Sequence, residues 1–216
     1  MIRRELRNLY LHGGTLLATF SFFVFALFCI ALTLGPHENI LKQSAPALIW
    51  ILAILSTLFS TPLLLKAEAK EGLLDEILLH PSSPAFYLLS KTIAECILFG
   101  LPLIVVGACL SSFFLLPYKD ILTLSLTLLI GFPALSSLGI LGGLLTIHSQ
   151  GGGLLIALLI LPLTLPLLLF GLAVMEMVRL GLDSSASFCL LTGVALLLVI
   201  ISITASSWAL RFAIEG

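Results

Sequence analysis

A-P-A-L-I-W-I-L-A-I-L-S-T-L-F-S-T-P-L-L-L-K-A-E-A-K-E-G-L-L-D-E-I-L-L-H-P-S-S-P, residues 45–84, decides the fold of this chain. Its first part, Ala45–Leu65, is a predominantly apolar run without a charge, and a helix needs about 20 such residues to cross a bilayer. Its second part, Lys66–Pro84, turns abruptly charged and amphipathic, so it belongs outside the hydrocarbon. Span-length apolar run followed by short polar connector is the pattern of a polytopic helical membrane protein. In lipid, each backbone polar group must find its partner inside its own helix.

Moving outward, the same alternation covers all 216 residues. The other runs are Thr15–Gly35, one from near Phe86 to near Leu116, Ile121–Ile147, one from near Gly153, and Ala186–Ala209. Apolar residues make up 60% and charged residues 10% of the chain, and mean hydropathy is +1.23. A soluble domain carries roughly 25% charged residues. The first run is read as a retained span, because no small-x-small cleavage site follows it. The fifth run stays apolar to Val178 and holds Pro162 and Pro166. Two prolines four residues apart predict a break, with re-entrant or short outer helices over residues 162–185.

Charge sets the orientation. With both termini inside, Arg3, Arg4, Arg7, Lys66, Lys70, Lys91 and Arg211 face the cytoplasm, while Lys42, Lys119 and Arg179 face outward. Five spans would place Arg211 outside, so six spans are expected. Residues 1–14 place Ile2, Leu6, Leu9 and Tyr10 on one helical face and Arg3, Arg4, Arg7 and Asn8 on the other. This segment is either an interfacial helix on the inner leaflet or a simple positive anchor.

Several function classes are excluded or unsupported. A net charge of −1 argues against a nucleic-acid partner. No GxxxxGK[ST] loop is present to cradle ATP, and no Ser/His/Asp or HExxH pattern suggests an enzyme. Cys29, Cys96, Cys109 and Cys189 lie apart in apolar runs and are expected to be buried packing residues. His12, His37, His80 and His148 form no evident pair for a metal or haem, and Trp50 and Trp208 read as membrane or packing residues. Glu95 is the deepest acid, and Lys91, one turn earlier, is its expected partner. Glu176 and Arg179 are expected to pair at the outer surface. Gly131, Gly139, Gly142 and Gly143 either allow close helix packing or loosen the fourth span.

The one connection long enough to act in water is residues 66–84. A helix there puts Leu74, Ile77, Leu78 and Pro81 on one side and Glu68, Glu71 and Asp75 on another, with Gly72 dividing the two halves. Such a helix can dock in a groove of a soluble partner, or can simply lie on the membrane.

At this loop the sequence is familiar. E-A-K-E-G-L-L-D-E-I-L-L-H-P-S-S-P (Glu68–Pro84), with Leu89-Ser90-Lys91, resembles the cytoplasmic loop of ABC-2-type exporter permeases. Gly35–Ser56, Leu126–Gly139 and Gly151–Gly171 resemble the haem exporter protein B family, most specifically in L-P-L-T-L-P-L-L. The resemblance implies an all-α permease with six transmembrane helices, an N-terminal interfacial helix and a short cytoplasmic coupling helix, in the bacterial inner membrane. It implies a role in cytochrome c maturation and pairing of two copies with a separate ABC ATPase subunit, which binds the ATP. It also implies a tryptophan-rich haem-handling membrane protein, a small one-span helper and a haem-loaded periplasmic chaperone. No cofactor is assigned to the chain itself; haem is either transported or held by the partner. Carried over by position, Glu68, Glu71, Gly72, Leu74, Asp75, Ile77, Leu78 and Pro81 form the ATPase-docking surface. The competing expectations are a lipid or polysaccharide exporter of the same fold and a passive assembly scaffold. A secondary transporter would call for buried charges and an internal repeat, neither of which is evident.

Overall fold

A computed structural model describes residues 13–35, 37–70, 84–146 and 152–215. Seven helices follow in order: α1 (Gly13–Leu34), α2 (Glu38–Lys70), α3 (Pro84–Glu95), α4 (Leu101–Ser111), α5 (Tyr118–Leu145), α6 (Gly152–Arg179) and α7 (Ser185–Glu215). A π-helical turn, Cys96–Gly100, joins α3 to α4, so these two helices make one span and the total is six. The expected interfacial helix lies almost wholly outside the described residues, since α1 begins at Gly13, and so does most of the expected coupling helix, residues 71–83.

The bundle has an inside and an outside. In the membrane windows of α5 and α2, 78% and 72% of the residues are buried, against 17% in α1 and 22% in α7. These two inner helices touch most of the others: α5 packs on α2, α3, α4, α6 and α7, and α2 on α1, α4, α5 and α6. The outer faces of α1 and α7, with Phe25, Phe28, Leu196 and Ile200 exposed, are apolar surfaces suited to lipid.

Close approach of α2 to its neighbours rests on small residues. Trp50 is fully buried and wedges between Gly131 of α5 and Gly171 of α6; a Cβ at Gly171 would lie 2.7 Å from its indole, and one at Gly131 would overlap it. Its Nε1 donates to Thr127 Oγ1 at 3.4 Å. Farther along the same seam, a Cβ at Gly139 would sit 3.0 Å from Thr61, and one at Gly143 2.5 Å from Leu65. Of the two readings of these glycines, close packing is the one realised.

Two expectations are corrected. The break expected after Pro162 is absent: α6 runs unbroken through Pro162 and Pro166. Being four residues apart, the two prolines remove donors on one side of the helix and leave the ladder on the other side continuous. Helix α6 instead ends after Arg179, where Gly181 takes φ +69° and Leu182 N–H donates to the Met177 carbonyl, a turn that favours glycine. The cysteines are not core residues either: Cys29, Cys109 and Cys189 are exposed on the apolar surface and Cys96 is half-buried. A thiol among lipid chains costs as little as one among side chains, so an apolar run does not reveal which face a cysteine takes.

Candidate functional site: a buried polar node at the roots of the second connection

The node begins with the spacing of α3. Tyr87, Leu88, Lys91, Thr92 and Glu95 recur at three- and four-residue intervals, so they share one face, and that face is buried. An ammonium and a carboxylate on an inward face need partners, because an uncompensated charge inside a membrane bundle costs several kcal/mol, of the order of 3 or more.

Lys91 finds its partner across the bundle. Its Nζ donates to both carboxylate oxygens of Glu68 on α2, at 2.6 Å each, and the two side chains are 0% and 2% exposed. Glu95 is held separately: its Oε2 accepts from Ser136 Oγ of α5 at 2.6 Å and from Thr61 Oγ1 of α2 at 3.2 Å. The Lys91 charge also acts on Glu95. The node therefore bonds α3 to α2 twice and to α5 once.

Glu68 and Lys91 flank residues 71–83 on either side. Their bond fixes the spacing of the two roots of that connection. This corrects one site expectation: Glu68 is turned inward and engaged within the chain, so it is not offered to a partner. The other residues of the expected surface, Glu71, Gly72, Leu74, Asp75, Ile77, Leu78 and Pro81, lie outside the described residues. Thr61 and Ser136 belong to no motif in the sequence. The available signal was the run of hydroxyls interrupting two apolar spans, Ser56, Thr57, Ser60 and Thr61 in one and Ser136 and Ser137 in the other.

The opposite end of the bundle carries a second linkage. Arg179 Nε donates to Asp120 Oδ2 at 2.8 Å and its Nη2 to the Lys42 carbonyl at 2.7 Å, while Lys119 Nζ reaches the Val178 carbonyl at 3.4 Å. The expected pair of Arg179 with Glu176 is thus replaced by one between the ends of α6 and α5. Lys42, Lys119 and Arg179 gather at one end and Glu68 and Lys91 at the other, the segregation that six alternating spans require. Among the described residues no group of His, Cys, Asp and Glu is placed to hold a metal ion; His37 is exposed, and His12, His80 and His148 lie outside the described residues.

Comparison with known proteins agrees with this architecture. The family model described as CcmB protein matches residues 1–213. Heme exporter protein B of Pseudomonas aeruginosa is 34% identical over 185 residues, 86% of this chain and 83% of that protein. The proteins of the same name from Bradyrhizobium diazoefficiens and Escherichia coli K12 are 32% and 30% identical, covering 100% of this chain and 97% and 98% of their own lengths. A match from the first residue almost to the last, sustained through all six spans, places the chain in the CcmB protein family.

Proposed function

We propose that this chain is the membrane permease subunit of an ABC-transporter-type complex in cytochrome c maturation, in the bacterial inner membrane with both termini cytoplasmic. A separate ATPase subunit docks on the connection after α2 and drives it, and two copies of the chain pair in the complex. The observation that carries this reading is the buried Glu68–Lys91 pair. A connection that merely lay on the membrane would have no need of roots locked together at such desolvation cost. A connection that receives force does need them, because a push on it then moves α2 and α3 as one. Leu74, Ile77 and Leu78 fill the ATPase groove, Glu71 and Asp75 meet basic residues on its rim, Gly72 divides the charged half of the docking segment from the amphipathic half, and Pro81 ends it.

Haem is the cargo of the complex, held by its tryptophan-rich membrane partner. Trp50 and Phe132, two of the large aromatics buried in the bundle, pack closely against glycines of neighbouring helices, which supports haem being bound elsewhere. The energy of ATP hydrolysis goes to releasing the haem-loaded periplasmic chaperone.

Charge reversal at Glu71 and Asp75 together tests the docking surface. The expected result is loss of the ATPase from membranes and loss of cytochrome c assembly, with the permease still inserted. Normal ATPase retention and normal assembly would remove the proposal. If the ATPase binds the unaltered chain but hydrolyses ATP at the same rate with and without it, the chain is a passive scaffold instead.

A further inference from the structure

The third span is built of two unlike halves. Its inner half, α3, is bonded by side chains to its neighbours through Lys91–Glu68, Glu95–Ser136 and Glu95–Thr61. Its outer half, α4, has no side-chain hydrogen bond to another helix among the described residues; Ser111 Oγ returns to the Gly107 carbonyl of its own helix. Helix α4 meets α1, α2 and α5 through apolar side chains alone, with Leu103 and Ile104 buried.

Between the halves lies the π turn Cys96–Gly100, closed by the Leu101 N–H donating to the Cys96 carbonyl. Its cause is legible in two ways. Pro102, just beyond it, supplies no N–H, which loosens the preceding turn. Geometry also asks for it. At 100° per residue, a straight helix from Lys91 to Ser111 would rotate Ser111 by about 200° away from the face that Lys91 buries. The extra residue of a π turn takes back about 100° of this. Both Lys91 and Ser111 are in fact fully buried.

The surroundings of the turn suit a pivot. Gly100 packs closely against the ring of Phe132 on α5, where a Cβ would stand 2.6 Å from the ring, and Phe99 stacks on Phe20 of α1 with centroids 6.5 Å apart. Smooth ring faces and the absence of interlocking polar atoms let one half slide against its support.

We propose that the third span is a two-arm lever hinged at Cys96–Gly100. The inner arm, Pro84–Glu95, is fixed to α2 and α5 by the polar node. The outer arm, Leu101–Ser111, swings about the contact between Gly100 and Phe132. This goes beyond the docking of an ATPase and holds whatever engages the loop. A push entering at the roots of the connection is carried rigidly as far as Glu95 and becomes angular motion beyond it.

The test is a pair of electron–electron distances in the full chain reconstituted in lipid nanodiscs without any partner. Nitroxides on Leu89 and Leu145 report the inner arm against α5, and nitroxides on Val105 and Leu122 the outer arm, all on exposed positions, with Cys29, Cys96, Cys109 and Cys189 replaced by alanine. The outer pair is expected to give a distance distribution about twice as wide as the inner pair, and Pro102→Ala to narrow it, since proline and π turns are the usual causes of helix kinks. Equal widths, unmoved by Pro102→Ala, would overturn the hinge. A measurement on the unaltered chain guards against misfolding of the variants: backbone amides of residues 97–101 should exchange with deuterium faster than those of 88–94 and 104–110, and uniform protection across the span would also overturn it. Because no ATPase is present, failure here and failure of the docking proposal are separate outcomes.

Discussion

The two ends of the bundle solve the same problem, tying helices together with charge, in different ways. At the end beside residues 71–83, Glu68 and Lys91 are both within 2% of full burial, and both carboxylate oxygens face one ammonium. At the opposite end, the Arg179 side chain remains 24% exposed, and its second bond goes to a backbone carbonyl. The Arg179–Asp120 pair is part-buried and its cation keeps some water, whereas both charges of the Glu68–Lys91 pair are sealed, so breaking that pair strands a fully buried charge. The linkage beside residues 71–83 therefore behaves as a fixed joint and the one at the opposite end as a latch, the easier of the two to part.

Lys91→Ala gives the largest effect that would break this contrast. It strands Glu68 and removes the cation acting on Glu95, so a loss of about 3–5 kcal/mol is expected in unfolding titrations with sodium dodecyl sulfate. Glu68→Leu combined with Lys91→Met removes both charges and should recover most of that loss. If the double variant is as unstable as Lys91→Ala alone, the cost comes from lost packing and not from a stranded charge. Arg179→Ala should cost less, about 1–3 kcal/mol, because the lost cation was partly hydrated, although it leaves the buried Asp120 carboxylate without its partner. A loss matching that of Lys91→Ala would make the Arg179–Asp120 linkage a second fixed joint.

The smallest effect is set by Asp183, in the turn before α7. The Ser185 backbone N–H donates to Asp183 Oδ1 at 3.0 Å and Ser185 Oγ to Oδ2 at 2.9 Å. These bonds, the backbone one first, hold its carboxyl below the usual carboxylate range. A depressed carboxyl contributes stability above its unfolded value, and that contribution is lost as pH falls through the folded one. The melting temperature of Asp183→Asn should thus lie slightly below that of the unaltered chain at neutral pH. The gap should close below about pH 4. A gap that persists into that range would remove the carboxylate as its cause.

The six spans were legible because lipid imposes one demand on every segment, apolar length, and length is read along the chain. The node was legible only in its parts. Periodicity finds neighbours within a helix, so it paired Lys91 with Glu95 and Arg179 with Glu176, each within one turn. The observed partners are 23 and 59 positions away, Glu68 and Asp120, and are chosen by how helices pack. Pro162 and Pro166 predict a break for a related reason: proline breaks an isolated helix, while α6 is supported by its packing on α2, α5 and α7. The π turn left no trace in composition beyond Pro102.

The wedge of Trp50 between Gly131 and Gly171 makes the molecule its own optical instrument. The chain has two tryptophans, one sealed in the bundle and the other, Trp208, 70% exposed on the last span. Brominated acyl chains should quench the emission of Trp208 and leave that of Trp50 bright. Any rearrangement that parts α2 from α5 and α6 would admit the quencher to the second fluorophore, so opening of the inner seam can be followed by light with no label attached.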